Sequence, residues 1–168
     1  VIARLVEHAG AETIRLNYGG DVGLHVGKTM WAILKYLGDD RLDAVKAIPD
    51  NEKGKWMGER YAEGHVAYED DEQSKAEIIE TNKKVYTLHS ENDHESEFAQ
   101  IYWYLRDKSY DFFKDLYKRL QVVDFDRFIP ESEVTNLGYN TVIEQQKQGV
   151  FEQSDGAVIF DGEKFGLH

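Results

Sequence analysis

Cysteine is absent from all 168 residues. That excludes a disulfide framework, a thiolate metal site and a cysteine nucleophile, and it fits a reducing cytoplasm. Only two prolines occur, Pro49 and Pro130. No run of eighteen apolar residues is present, so no segment reads as a membrane-spanning helix, and no secretory signal pattern is visible. The expected location is cytoplasmic. Positive charge is also scarce: 20 Lys and Arg face 32 Asp and Glu, for a net charge of −12. Such a surface repels phosphate backbones, and the one basic cluster, Lys114 to Arg119, is interrupted by Asp115. Little direct nucleic-acid binding is expected. What is plentiful is apolar and aromatic: 41% hydrophobic residues, with ten Tyr, eight Phe and three Trp, enough for the core of one domain with an insertion.

The pattern opens with a helix over 2–9, closed by Gly10, followed by a strand over 12–17. A glycine-rich loop at 18–23 then leads into an apolar helix at 24–37, which Gly38-Asp39-Asp40 closes. This is the αβα part of a doubly wound unit. Asp39 to Lys55 reads as a loop with a short helix near 41–48. Trp56 to Asp71 has helical spacing weakened by Gly58 and Gly64, and Ser74 to Leu88 is amphipathic behind Asp70-Asp71-Glu72. The clearest helix runs from Glu95 to Leu120, with Asp93 or His94 as its cap. A strand is expected over 122–129, ended by Pro130, then a helix from Ser132 to about Gln148 with Gly149 after it. A hairpin of strands 150–153 and 157–160 and a turn at 161–164 complete the chain.

Four glycines in nine positions, Gly19, Gly20, Gly23 and Gly27, sit between the first strand and its following helix. At the carboxyl end of a strand that is where an α/β sheet keeps a ligand site. Gly27-Lys28-Thr29 imitates the end of a phosphate-binding P-loop, but the spacing G-x-x-x-x-G-K-S/T would need glycine where Val22 stands, and the dinucleotide interval G-x-G-x-x-G fails as well. His25-Val26-Gly27-Lys28 resembles the H-x-G-H signature of class I nucleotide-activating enzymes with one imidazole instead of two; a cap or surface histidine is the alternative. Asp21 pairs with a cationic substrate or caps helix 24–37, the second reading standing ahead. His89, Glu91, Asp93, His94 and Glu95 are metal-capable, yet their spacing suits an acidic loop, and no metal site is assigned. Asp124 and Asp126 share a strand face if that segment is extended. The aromatic row from Tyr102-Trp103-Tyr104 to Tyr117 reads as core packing, with base stacking as the alternative.

Three stretches, in order, resemble the arginyl-tRNA synthetase family. The first is Ile14-Arg15-Leu16-Asn17-Tyr18 with Gly20-Asp21-Val22-Gly23-Leu24-His25-Val26-Gly27-Lys28. The second is Tyr110 to Leu120 with Phe125-Asp126-Arg127-Phe128 and Glu131-Ser132-Glu133. The third is Gly149-Val150-Phe151-Glu152-Gln153-Ser154-Asp155-Gly156-Ala157-Val158-Ile159. Val22 stands where the family usually has tryptophan, and Leu24-His25 where it has Thr-Gln. The resemblance implies an α/β class I synthetase fold: a partial Rossmann-like parallel sheet with a large, mostly helical insertion. Residues 1–38 would be a partial catalytic core, 39–121 the insertion, and 122–168 an α/β segment whose hairpin returns to the core.

The resemblance further implies a parent enzyme that activates arginine with ATP and magnesium and transfers it to tRNA(Arg). The family's HIGH and KMSKS signatures are not in these residues and are expected upstream and downstream, so the chain alone is expected to be inactive and to self-associate through surface meant for other parts. Asn17, Gly20, Asp21, Gly23 and His25 are the substrate-binding candidates; no catalytic residue is assigned. A non-catalytic acidic helical interaction module, or a fragment of another class I nucleotidyl-transferring enzyme, are the alternatives.

Overall fold

The structure, a computed structural model, describes residues 2–38, 41–154 and 156–167. Asp39, Asp40 and Asp155, which the sequence places in turns, lie outside the described residues. The chain divides into two compact units, Val1–Pro130 and Glu131–His168.

The first unit begins with α1 (Ile2–His8), and Gly10 follows at φ 93°, a conformation that favours glycine and stops the helix. β1 (Leu16–Gly19) pairs in parallel with β2 (Arg127–Pro130), Leu16 opposite Arg127 and Gly19 opposite Pro130. Both strands are shorter than the sequence suggests, and β1 begins four residues later than the expected 12–17. The cause is a local crossing. The Arg15 amide donates to the Asp126 carboxylate at 2.6 Å, and the Asp126 amide donates to the Arg15 carbonyl at 2.9 Å. Regular pairing starts only beyond that knot. Asp124 therefore lies outside any strand and Asp126 fastens the sheet. Ile14, Leu16 and Tyr18 are exposed.

Five helices fill the rest of this unit: α2 (Leu24–Tyr36), α3 (Arg41–Ala47), α4 (Asp50–Asp70), α5 (Glu72–Ser90) and α6 (Glu97–Arg119). Helix α4 starts directly after Pro49, so the expected loop to Lys55 is helical instead. Asp71 ends α4 and caps α5, its carboxylate accepting from the Ser74 amide at 2.7 Å. Neither Asp93 nor His94 is the cap of α6. Ser96 is, accepting from the Ala99 amide, while Asp93 braces it by accepting from the Glu95 and Ser96 amides and the Ser96 hydroxyl. Val22, Met30, Ile33, Val45, Val85, Leu88, Ile101, Tyr102 and Leu105 form one core, each fully buried apolar side chain contributing roughly 1.5–3 kcal/mol.

Two glycines let helices approach α2 closely. A Cβ on Gly27 would sit 2.7 Å from Cβ of Asn82 on α5. A Cβ on Gly64 of α4 would enter the Lys28 carbonyl, 2.7 Å from its carbon. Gly27-Lys28 is thus a packing seam inside α2 and no phosphate cradle. The Lys28 ammonium is buried against α4, donating to His65 Nδ1 at 2.9 Å, 3.5 Å from Glu69 and 4.2 Å from the centre of the Tyr68 ring.

The second unit, by itself, contains α7 (Glu131–Lys147), an antiparallel pair of β3 (Glu152–Ser154) and β4 (Ala157–Ile159), and a 3-10 turn over Gly162–Phe165. Gly149 follows α7 at φ 78°. Phe160 packs between Phe151 and Phe165, with ring centres 5.8 and 5.0 Å away. Among the described residues, no helix is long and apolar enough to cross a membrane.

Candidate functional site

The chain turns from β1 into α2 through Gly20, Asp21, Val22 and Gly23. Gly23 sits at φ 107°, and its carbonyl accepts the first helical amides, those of Val26 and Gly27. Gly23, the N-cap residue, has no side chain to cap α2. The Asp21 carboxylate, 1% exposed, accepts from Nε of Arg106 on α6 at 2.9 Å. A cationic substrate would have to displace that guanidinium.

The backbone of the same turn is held by α6 as well. The Tyr102 hydroxyl donates to the Asp21 carbonyl at 2.7 Å and lies 2.7 Å from Nε2 of His89. Since the phenol has given its only proton to Asp21, it must accept from His89, which therefore carries a proton on Nε2. His89 also meets Trp103 edge to face, and His94 stacks on the same indole at 4.7 Å between ring centres. Of the metal-capable set, His89, Asp93 and His94 are thus engaged in packing and bracing around α6. Burial, then the negative charge of Asp21, pushes the Tyr102 phenol well above its ordinary range. The same two causes push Tyr110 up to about 12. Burial lowers His89, with Arg106 and His94 adding to that and Asp21 opposing it.

These directions set a testable pH dependence. Above the ordinary histidine value of about 6.5, His89 is neutral in both folded and unfolded chains and costs nothing. As pH falls through that value the unfolded chain takes up a proton that the folded one resists, so stability declines until the folded His89 also titrates. Urea unfolding at a series of pH values will show this decline, and His89→Gln will flatten it while keeping a donor for Tyr102. Tyr102→Phe removes both hydrogen bonds and will cost about 1–3 kcal/mol at neutral pH.

Beside the turn lies a cleft of about 570 Å³. β1 and the turn supply Asn17, Tyr18, Gly19, Gly20 and Asp21; α2 supplies His25, Val26, Thr29, Met30 and Ile33. Its other walls are Met57, Gly58 and Tyr61 of α4, the α6 face from Tyr102 to Tyr117, and Phe128 of β2. Four of the five sequence candidates, Asn17, Gly20, Asp21 and His25, therefore border one cavity. Gly23 does not, and its place is the start of α2. His25 is exposed and its Nε2–H donates to the Gly20 carbonyl at 3.3 Å. Gly19 leaves room for the Phe128 ring, which would have to shift if a Cβ stood there. The aromatic row on α6 divides. Tyr102 belongs to the core and touches the cleft from it, whereas Tyr110, Phe113 and Tyr117 line the cleft outside that core. Sequence reasoning missed Arg106 and Tyr61 as site residues. The signal available was Tyr102, Arg106, Ser109, Tyr110 and Phe113 recurring at three- and four-residue intervals, one face of α6.

A parallel strand pair with a glycine turn at its carboxyl end, walled by helices, makes an α/β arrangement whose cleft lies where such sheets keep their ligand sites. The chain belongs to the family of tRNA synthetases class I (R), catalytic domain, whose model matches residues 1–168. It is 27% identical over 168 residues to an arginine–tRNA ligase of Bdellovibrio bacteriovorus, covering 99% of this chain and 28% of that protein. To the arginine–tRNA ligase of Halothermothrix orenii it is 25% identical over 158 residues, covering 94% of this chain and 25% of that protein. To that of Streptococcus pneumoniae it is 29% identical over 166 residues, covering 99% and 27%. The chain thus spans about a quarter of the length of these curated relatives.

Proposed function

We propose that this chain is part of an arginine–tRNA ligase, a protein that activates arginine with ATP and magnesium and transfers it to tRNA(Arg) in the cytoplasm. The observation that carries the reading is the family match along all 168 residues. The cleft at the carboxyl end of β1 supports it, with Asn17, Gly20, Asp21 and His25 as the substrate-facing residues and Gly23 as the pivot into α2. The division into a partial catalytic core (1–38), a helical insertion (39–121) and a returning α/β segment (122–168) belongs to the same proposal.

The cleft's chemistry bounds what this chain does in such a reaction. Among the described residues its lining holds one carboxylate, Asp21, already engaged by Arg106, and no lysine. A triphosphate and its magnesium do not fit that set, so no phosphoryl step is assigned to these residues. Their part is to shape the cleft and fix the turn. The isolated 168-residue chain is expected to give no arginine-dependent pyrophosphate exchange, whereas the longer protein that contains it will give exchange with arginine. Exchange driven by another amino acid instead would overturn the assignment to arginine.

A further inference from the structure

We propose that Trp103 of α6 is a positioning residue: from outside the cleft, it holds in place the two side chains that fasten the glycine turn. The hold on the turn follows from contacts within this chain; its consequence for a reaction rests on the ligase reading. Asp21 is fastened twice. Arg106 holds its carboxylate, and Tyr102 holds its carbonyl while accepting from His89. Trp103 touches both arms of that clamp. The Arg106 guanidinium lies 5.2 Å from its ring centre, and the His89 ring meets it edge to face at 4.8 Å. Among the described residues, Tyr102, Leu105 and Arg106 line the cleft and Trp103 does not. Trp103 therefore acts through its neighbours and not on a bound molecule.

The indole is itself fixed by the corner between α5 and α6. Its Nε1–H donates to the Asp93 carbonyl at 2.8 Å, and the His94 ring stacks on it with 18° between planes. Asp93 is braced in turn, its carboxylate accepting from the Glu95 and Ser96 amides. Residues three apart on a helix are neighbours, so Trp103 reaches Arg106 on α6 while its wide ring also meets His89 on α5. A free arginine side chain has several rotamers, and ordering it costs entropy. The rings of Trp103 and Tyr110, the second 4.7 Å from the guanidinium, hold Arg106 before any ligand arrives. Without the indole, Arg106 and His89 sample other rotamers, and the turn keeps its present form only part of the time. A ligand that needs that form then binds with an apparent affinity reduced by the same fraction, and saturation restores the form. The signature is a raised KM with kcat retained.

Two measurements test this, with far-UV circular dichroism confirming the fold of each variant. In the 168-residue chain, proton–nitrogen correlation spectra of Trp103→Leu will show the Val22 and Gly23 amides shifted or broadened. Trp56→Leu removes an indole packed on the same core from α4; it will lower the urea midpoint and leave those amides in place. In the longer protein that contains this chain, Trp103→Leu will raise the KM for arginine or for ATP in pyrophosphate exchange about tenfold, with kcat within about twofold. Trp103→Phe keeps a flat ring against Arg106 and gives up the bond to Asp93, and it will recover most of that loss. Trp56→Leu will leave both constants unchanged. Unmoved turn amides in Trp103→Leu overturn the proposal, as does a loss of stability with no change in either KM, or a fall in kcat at constant KM. If Trp103→Leu does not fold, Trp103→Phe decides by the same amides, which must move in it and not in Trp56→Leu. If the longer protein gives no arginine-dependent exchange, the ligase reading falls and the amides still decide the hold on the turn; exchange indifferent to Trp103 does the reverse.

Discussion

Gly64→Ala will destabilise the protein by about 3 kcal/mol, seen in urea unfolding as a lower midpoint with an unchanged slope. For a chain of this size that is a drop of roughly 6–12 °C in melting temperature. Alanine is the better helix former by about 1 kcal/mol, so an isolated α4 would gain from the change. The tertiary contact reverses the sign. The added methyl enters the Lys28 carbonyl on α2, and a backbone group in the middle of a helix cannot rotate away. Relief requires moving α4 off α2, which would disturb the buried Lys28 ammonium and its contacts with His65, Glu69 and Tyr68. Gly58 on the same helix is the internal control. A Cβ there meets nothing within 4 Å, so Gly58→Ala should stabilise by about 0.5–1 kcal/mol. If both substitutions act alike, the close crossing of α2 and α4 is wrong.

Arg106→Ala will cost about 3 kcal/mol, because it removes the guanidinium that faces a carboxylate only 1% exposed. It also removes a guanidinium lying 4.7 Å from the Tyr110 ring centre and 5.2 Å from that of Trp103. Arg106→Lys will recover only part of the loss, since an ammonium does not reproduce a planar guanidinium packed between rings. Combining Arg106→Ala with Asp21→Asn will cost less than the two changes summed, by about 1 kcal/mol or more, because the buried charge that Arg106 faces is then gone. Strict additivity would show that the pair does not hold the turn. The loss will extend beyond stability. Asp21 is anchored by Arg106 through its side chain and by Tyr102 through its carbonyl, so both variants loosen the cleft wall formed by the turn.

Helices were the most legible part of the sequence. Met30, Ile33, Leu34 and Leu37 repeat at helical spacing, as do Ile101, Tyr102 and Leu105, and the corresponding α2 and α6 lie close to the expected spans. Strand limits were far less legible. Four-residue strands carry too few alternations to mark their ends, and the start of β1 depends on Asp126, more than a hundred positions away. The cap of α6 was ambiguous for a local reason: Asp93 and Ser96 both accept amide protons there, and only the geometry separates brace from cap. The cleft was half visible. Asn17, Gly20, Asp21 and His25 stand together in the chain, but their partners Tyr61 and Arg106 arrive from helices whose placement no local pattern states.

By itself, the sequence determined the helical elements, the glycine turn after a strand, the acidic surface and the exclusion of thiol chemistry, because these follow from residue type and short-range spacing. The tertiary structure alone decided what the glycines, the charges and the aromatics are for. Gly27 and Gly64 became helix crossings, Lys28 a buried contact, Asp21 the partner of Arg106, and the α6 aromatics were split between core and cleft. Those roles depend on which surfaces meet across large sequence separations. Packing and desolvation set them, and neither is encoded in any one segment.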